Sequence, residues 1–291
     1  MQPPAPGEVG LEPIALDDLP SWSPWPARLV GFERAEKRDR TTEFVTREYN
    51  EEKYRPLLAM WKDSDQVTAP EIRAEEIGRD PESAVCISIG AELFRTTLRE
   101  AGERFQALLW EHLGPRVSGG VGTIVELGCG WGYNLWRISE RSPGPHLVGG
   151  EFSPRAVELG RSLSSGRENF RIEPFDFYES GYSIFDHVRG PAVVFTSHAV
   201  EQVADAERVI DSLMQRSHLI DCVYHFEPLP ELYGDSLLGL MRRRYAELND
   251  YNRNLLSTLR ARTDIRLEVV GENVLGLNPL HPISIVRWSP A

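Results

Sequence analysis

Three alternating glycines follow an apolar run in Thr123-Ile124-Val125-Glu126-Leu127-Gly128-Cys129-Gly130-Trp131-Gly132-Tyr133-Asn134. Where a buried strand turns sharply into a helix, a Cβ would crowd the turn or keep a ligand off the backbone, so glycines suit a nucleotide-binding turn. Glu126 is an acid inside the strand. Glu151 stands 23 residues after Gly128, at the end of a second apolar run, where a carboxylate can take both hydroxyls of a ribose. Tyr133 occupies the place where a dinucleotide fingerprint wants glycine or alanine, so the pattern is G-x-G-x-G and no pyrophosphate is expected there. Further along, Thr196-Ser197-His198-Ala199-Val200-Glu201-Gln202 and His225-Phe226-Glu227-Pro228 each pair an imidazole with a carboxylate. A histidine with an unperturbed pKa near ~6.5 can take a proton from a hydroxyl or amine at neutral pH.

These residues need strands to end beside one another. The spacing predicts strands at 123–127, 147–151, 170–174, 192–196 and 219–224, with helices at 133–140, 154–164 and 204–215 between them. Such alternation implies a parallel, doubly wound sheet with helices on both faces. A helical stretch at 234–262 precedes two last strands, 266–270 and 283–288. In front, residues 1–27 carry seven prolines and two tryptophans and read as an extended arm. Residues 28–119 read as a helical extension or lid, with helices at 41–62 and 89–112, and residues 120–291 as the ligand-binding domain.

Composition narrows the function. A net charge of −12 argues against a general affinity for nucleic acid. Arg242-Arg243-Arg244 is the local exception and reads as the wet face of a helix. No apolar run reaches a membrane span, and the N-terminal residues lack a basic start and apolar stretch, so a cytoplasmic chain without a membrane partner is expected. Cys86, Cys129 and Cys222 are scattered, so neither a disulfide framework nor a bound metal is expected.

The motifs Glu126-Leu127-Gly128-Cys129-Gly130-Trp131-Gly132, Gly150-Glu151-Phe152-Ser153 and Phe175-Asp176-Phe177 resemble the first three motifs of class I S-adenosylmethionine (SAM) dependent methyltransferases. The resemblance covers roughly residues 120–290 and implies a seven-stranded Rossmann-like sheet closed by an antiparallel hairpin. It places Gly128 and Gly130 against the methionine part of SAM, Glu151 on the ribose, and Asp176 with Phe177 on the adenine. Glu126, Cys129, Asn134, Phe152 and Ser197 join them as cofactor candidates. Asn134 reads equally as a first-turn residue facing solvent. Tyr178 could face the sulfonium or simply pack, and His198 could act as base or only bind backbone, with Glu201 orienting it or starting a helix. His225 and Glu227 would lie on the same edge, Glu227 against a cationic acceptor group. Tyr49, Tyr54, Trp61 and Arg47 could line a lid.

The resemblance implies methyl transfer to an oxygen or nitrogen of a small-molecule acceptor. Two alternatives stand beside it. One is a SAM-consuming enzyme that transfers the aminocarboxypropyl group, or closes it to azetidine-2-carboxylate, with release of methylthioadenosine. The other is a non-catalytic SAM-binding partner subunit. A homodimer is left open.

Overall fold

Parallel strands rich in β-branched residues, buried on both faces, form the centre of the molecule. The structure is a computed structural model that describes residues 10–34, 37–64 and 66–291. In chain order the strands are β1 (Glu12–Ile14), β2 (Ala84–Ile89), β3 (Glu92–Thr97), β4 (Thr123–Leu127), β5 (His146–Glu151), β6 (Phe170–Pro174), β7 (Ala192–Ser197), β8 (Ile220–Pro228), β9 (Ile265–Leu275) and β10 (Ile283–Pro290). The α-helices are α1 (Trp25–Leu29), α2 (Thr42–Thr46), α3 (Tyr54–Asp63), α4 (Ala69–Ile77), α5 (Leu98–Ser118), α6 (Tyr133–Arg141), α7 (Pro154–Leu163), α8 (Ala206–Met214), α9 (Leu237–Leu248) and α10 (Leu255–Ala261). Seven strands make one sheet in the order β6-β5-β4-β7-β8-β10-β9, with β10 antiparallel to both neighbours. This is the doubly wound, seven-stranded Rossmann-like architecture that the motifs imply. None of its helices is long and apolar enough to cross a membrane, among the described residues.

The order reverses at β4. Its chain successor β5 lies on one side and β7 on the other, which opens a crevice at the carboxyl ends of these strands. Apolar clusters fill both faces of the sheet: Val125, Val194, Val223 and Trp288 belong to one, Ile124, Phe195, Phe226 and Ile285 to the other.

The front of the chain departs from the predicted arm and helices. Residues 1–9 of the arm lie outside the described residues. Beyond them, β1, a 3-10 turn at Leu16–Ser21 and α1 are formed, and β1 pairs with β3 in a three-stranded sheet. Leu93 and Leu98 look helical by spacing, but Val85, Ile87 and Ile89 alternate along β2, and Gly90 at φ 61° turns the chain back into β3. The helix therefore starts at Leu98, capped by the Thr97 side chain, which accepts from Glu100 N at 3.2 Å. The helical reading of 41–62 corresponds to α2, a π-helical segment at Arg47–Lys53 and α3 in succession.

Two corrections fall in the C-terminal half. The predicted strand at 219–224 continues to Pro228, because β10 supplies a ladder partner from Val223 to Pro228. His225 and Glu227 therefore lie within a strand. The predicted helix at 234–262 breaks between α9 and α10, where Asp250 adopts φ 54° and the Asn252 side chain accepts from Asn254 N and Leu255 N, both at 3.0 Å. Arg242 also departs from the wet face expected of the arginine run. It is buried and donates to the carbonyls of Pro279 and Gly90 at 2.9 and 3.0 Å, tying α9 to the small sheet.

Candidate functional site

A cavity of about 450 Å³ occupies the crevice at the carboxyl ends of β4 to β7. Its floor is the glycine turn. Gly128 has φ 77°, and a Cβ there would lie 2.4 Å from the Ala199 Cβ. Gly130 has φ 57°, and its Cβ would lie 2.6 Å from the Tyr54 hydroxyl oxygen. Both positions thus need glycine for backbone conformation and for space. The roof is α2, the π-helical segment and α3, which bring Val45, Tyr49, Lys53 and Tyr54 to the cavity. Asn50 fastens that roof, its Oδ1 accepting from Ser153 Oγ at 2.9 Å and Arg155 N at 3.2 Å at the start of α7.

All ten sequence-named cofactor candidates line this cavity: Glu126, Gly128, Cys129, Gly130, Asn134, Glu151, Phe152, Asp176, Phe177 and Ser197. Glu151, at the end of β5, accepts from Gly130 N and Ser153 N, each at 2.8 Å. Burial raises its pKa, while the backbone donors pull the other way. Glu126 is buried in β4 and accepts from Asn134 Nδ2 at 2.7 Å through Oε1, and Asn134 Oδ1 accepts in turn from Gln106 Nε2 at 2.8 Å. The second oxygen, Oε2, has no partner, and burial pushes the carboxyl up to about 8. Asp176 accepts from Tyr178 N at 2.8 Å and so orders the turn after β6, where Phe177 sits edge-on to Phe175.

The four catalytic candidates part company. His198 and Glu201 face the cavity together, with His198 Nδ1 3.2 Å from Glu201 Oε2. His198 sits at φ 52° in the turn after β7. Burial lowers its pKa, but the Glu201 carboxylate and then Glu227 outweigh that and hold it above the ordinary value. Burial would likewise raise Glu201, yet His281 and His198 hold it well below the usual carboxylate range. Tyr178 also lines the cavity, but its hydroxyl accepts from Ala204 N at 3.3 Å and the Arg208 guanidinium lies 5.6 Å over its ring.

His225 is a correction. It is fully buried in β8, where Trp288 Nε1 donates to its Nε2 at 3.0 Å and Thr196 Oγ1 lies 2.9 Å from its Nδ1. With Nε2 accepting, the neutral ring carries its proton on Nδ1 and donates it to Thr196. Burial lowers its pKa to about 3, and it does not reach the cavity. Glu227 is a second correction. It does not stand open to an acceptor, because its carboxylate accepts from the backbone N–H of Ala199, Val200 and Glu201 at 3.0 to 3.4 Å. It shapes the turn that presents His198, and burial raises it to about 7.

Of the suggested lid residues, Tyr49 and Tyr54 line the cavity, whereas Trp61 packs against the layer beneath the roof and Arg47 pairs with Glu52 on the surface. Sequence reasoning missed Arg40, Lys53, Arg73, Glu76 and His281. Lys53 and Arg73 both pair with Glu76, at 2.9 and 2.6 Å. His281 Nε2 lies 2.6 Å from Glu201 Oε2 although 80 residues separate them. Arg73 and Glu76 stand three apart on α4, but nothing in the sequence brings that pair to Lys53 or to the glycine turn, and the loop carrying His281 reaches the site only once β9 and β10 are paired.

No protein-family model matches the sequence, and no curated protein matches it. Among solved structures, the chain is similar to geranyl diphosphate C-methyltransferase from Streptomyces coelicolor A3(2) at 11% identity and TM-score 0.47, over 67% of this chain and 81% of that one. It is also similar to the plantazolicin methyltransferase BamL at 14% identity and TM-score 0.40, over 57% of this chain and 75% of that one. A third is the S-adenosylmethionine-dependent methyltransferase SibL, at 15% identity and TM-score 0.45, over 66% and 56%. The likeness is one of fold.

Proposed function

We propose that the protein is a SAM-dependent methyltransferase acting on an oxygen or nitrogen of a small-molecule acceptor. The observation that carries this reading is the convergence of the glycine turn, Glu126, Glu151 and the Asp176-Phe177 turn on one cavity where the strand order reverses. The residues fit SAM on their own terms. The backbone at Gly128 and Gly130 is bare, as close approach requires, and the unpartnered Glu126 Oε2 is a ready acceptor for the methionine ammonium. The acidic side chains of Glu126, Glu151 and Asp176 on the wall suit a ligand with two cationic centres. Glu151 would hold the ribose hydroxyls, Asp176 the adenine amino group and Phe177 the adenine face.

Bound SAM supplies an electrophilic methyl group. The chain orients the acceptor beside it, and the Tyr49 and Tyr54 roof excludes water. His198, oriented by Glu201, is placed to take the acceptor's proton.

One observation favours a second reading. The buried Glu126 Oε2, left without a partner at the amino acid end, could take a proton from the SAM α-amine, whose nitrogen would then attack its own Cγ as the Cγ–S bond breaks and methylthioadenosine leaves. Mass spectrometry of the nucleoside products separates the two. S-adenosylhomocysteine formed with an acceptor supports methyl transfer, whereas methylthioadenosine from SAM alone, well above the spontaneous rate, would replace it with ring closure.

A further inference from the structure

His198, Glu201 and His281 come from two distant parts of the chain and meet at the edge of the cavity, where His198 and Glu201 line it and His281 backs Glu201. Their ligand atoms, two imidazole nitrogens and a carboxylate oxygen, all lie within 4.8 Å of one another. We propose that these three side chains bind one divalent transition-metal ion, with its open positions toward the cavity. This deepens the reading above, since the ion would take an acceptor carrying two adjacent oxygen donors. Metal binding itself does not depend on SAM.

The donor set is the first argument. Two imidazoles and one carboxylate form the facial arrangement that holds Fe(II) and related ions and leaves coordination sites for a ligand. Hard cations such as magnesium prefer oxygen ligands and would find only one here. Glu201 Oε2 is the hub, 2.6 Å from His281 Nε2 and 3.2 Å from His198 Nδ1.

The second argument is support. The Glu201 carbonyl accepts from Asn252 N at 2.8 Å, and its other oxygen accepts from Gln202 Nε2 at 2.8 Å. The His281 ring stacks on Tyr251 with centroids 4.4 Å apart. Two ligands of the site are therefore buried and held. His198 is half exposed to the cavity and supplies the adjustment needed, because two nitrogens sharing an ion at about 2.1 Å each stand no more than roughly 4.2 Å apart.

Charge is the third. Glu227 lies directly beneath the same turn, so two buried carboxyl groups face one region. A divalent cation held between the two imidazoles and the Glu201 carboxylate would offset that negative charge. With the ion in place, His198 is a ligand, so the proton-accepting role given to it above belongs to the metal-free site.

The full-length protein, stripped with a chelator and dialysed, is titrated with Co²⁺ alone and followed by its visible absorption, with Zn²⁺ competition by calorimetry. One equivalent should bind. Glu201→Gln and His281→Ala should each weaken binding by at least about 10-fold, while His218→Ala, at an exposed histidine, should change nothing. X-ray absorption of the Co²⁺-loaded wild type should show scattering from two imidazoles, a readout that needs no variant to fold. Absence of saturable binding, binding unchanged in both variants, or a spectrum without imidazole would overturn the site. SAM binding measured separately by calorimetry keeps the two readings apart: SAM bound with no metal site sinks only this inference, and a metal site without SAM binding sinks only the cofactor assignment.

Discussion

A carboxylate that serves a ligand while holding its own loop has two jobs that substitutions can separate. Glu151 accepts from Gly130 N and Ser153 N, so it fixes the glycine turn, and its remaining lone pairs would hold the ribose. Charge-assisted hydrogen bonds of this kind are worth about 1.5–3 kcal/mol each way of counting. Glu151→Ala is therefore expected to weaken SAM binding by roughly 10- to 100-fold by calorimetry, and Glu151→Gln, which can still accept from the backbone, by less. Equal SAM affinity in wild type and Glu151→Ala would remove the ribose assignment. This residue was legible because the carboxylate ends an apolar run at a fixed distance from the glycines. His281 was not legible, since its partner Glu201 lies 80 residues away and only the pairing of Glu201 with His198, three residues before it, has a local spacing.

At the level of elements, strands flanked by turn residues were read well and elements defined by their neighbours were not. The strand at 170–174 ends where the sequence places it. The extension of β8 to Pro228 needs the β10 ladder, some sixty residues later, and that extension is why His225 became core instead of site. The roof poses the sharper test. Tyr54 of α3 rests on the glycine turn, with its hydroxyl where a Gly130 Cβ would be. Gly130→Ala meets both that contact and a left-handed backbone, whose cost for a non-glycine residue is about 1–2 kcal/mol. The variant should lower the melting temperature and loosen the roof, seen as faster proteolysis within residues 42–63. Adding Tyr54→Phe should recover part of the loss, because the oxygen in the way is gone while the backbone strain stays. A double variant no better than Gly130→Ala alone would place the whole effect in the backbone.

Across the whole molecule, the site's buried groups set how stability answers pH. His225 is neutral in the fold, with a pKa of about 3 against about 6.5 in an unfolded chain. Between those values the unfolded state binds the extra proton, so this residue's contribution is complete above pH 6.5 and is lost as pH falls toward 3. The slope is up to about 1.4 kcal/mol per pH unit. Glu126 and Glu227 act in the opposite sense, since their raised pKa values favour the fold at lower pH and that advantage fades as pH rises through about 7 to 8. The total curve therefore mixes both signs, and only a difference isolates one group. His225→Gln retains an acceptor for Trp288 Nε1 and a donor for Thr196 Oγ1 but cannot titrate. Urea unfolding of wild type and variant at pH 7, 6 and 5 should show the wild type losing stability faster on acidification, with the gap narrowing or reversing by pH 5. A gap constant across all three pH values would mean that His225 titrates alike folded and unfolded, and its burial between Thr196 and Trp288 would carry no electrostatic consequence.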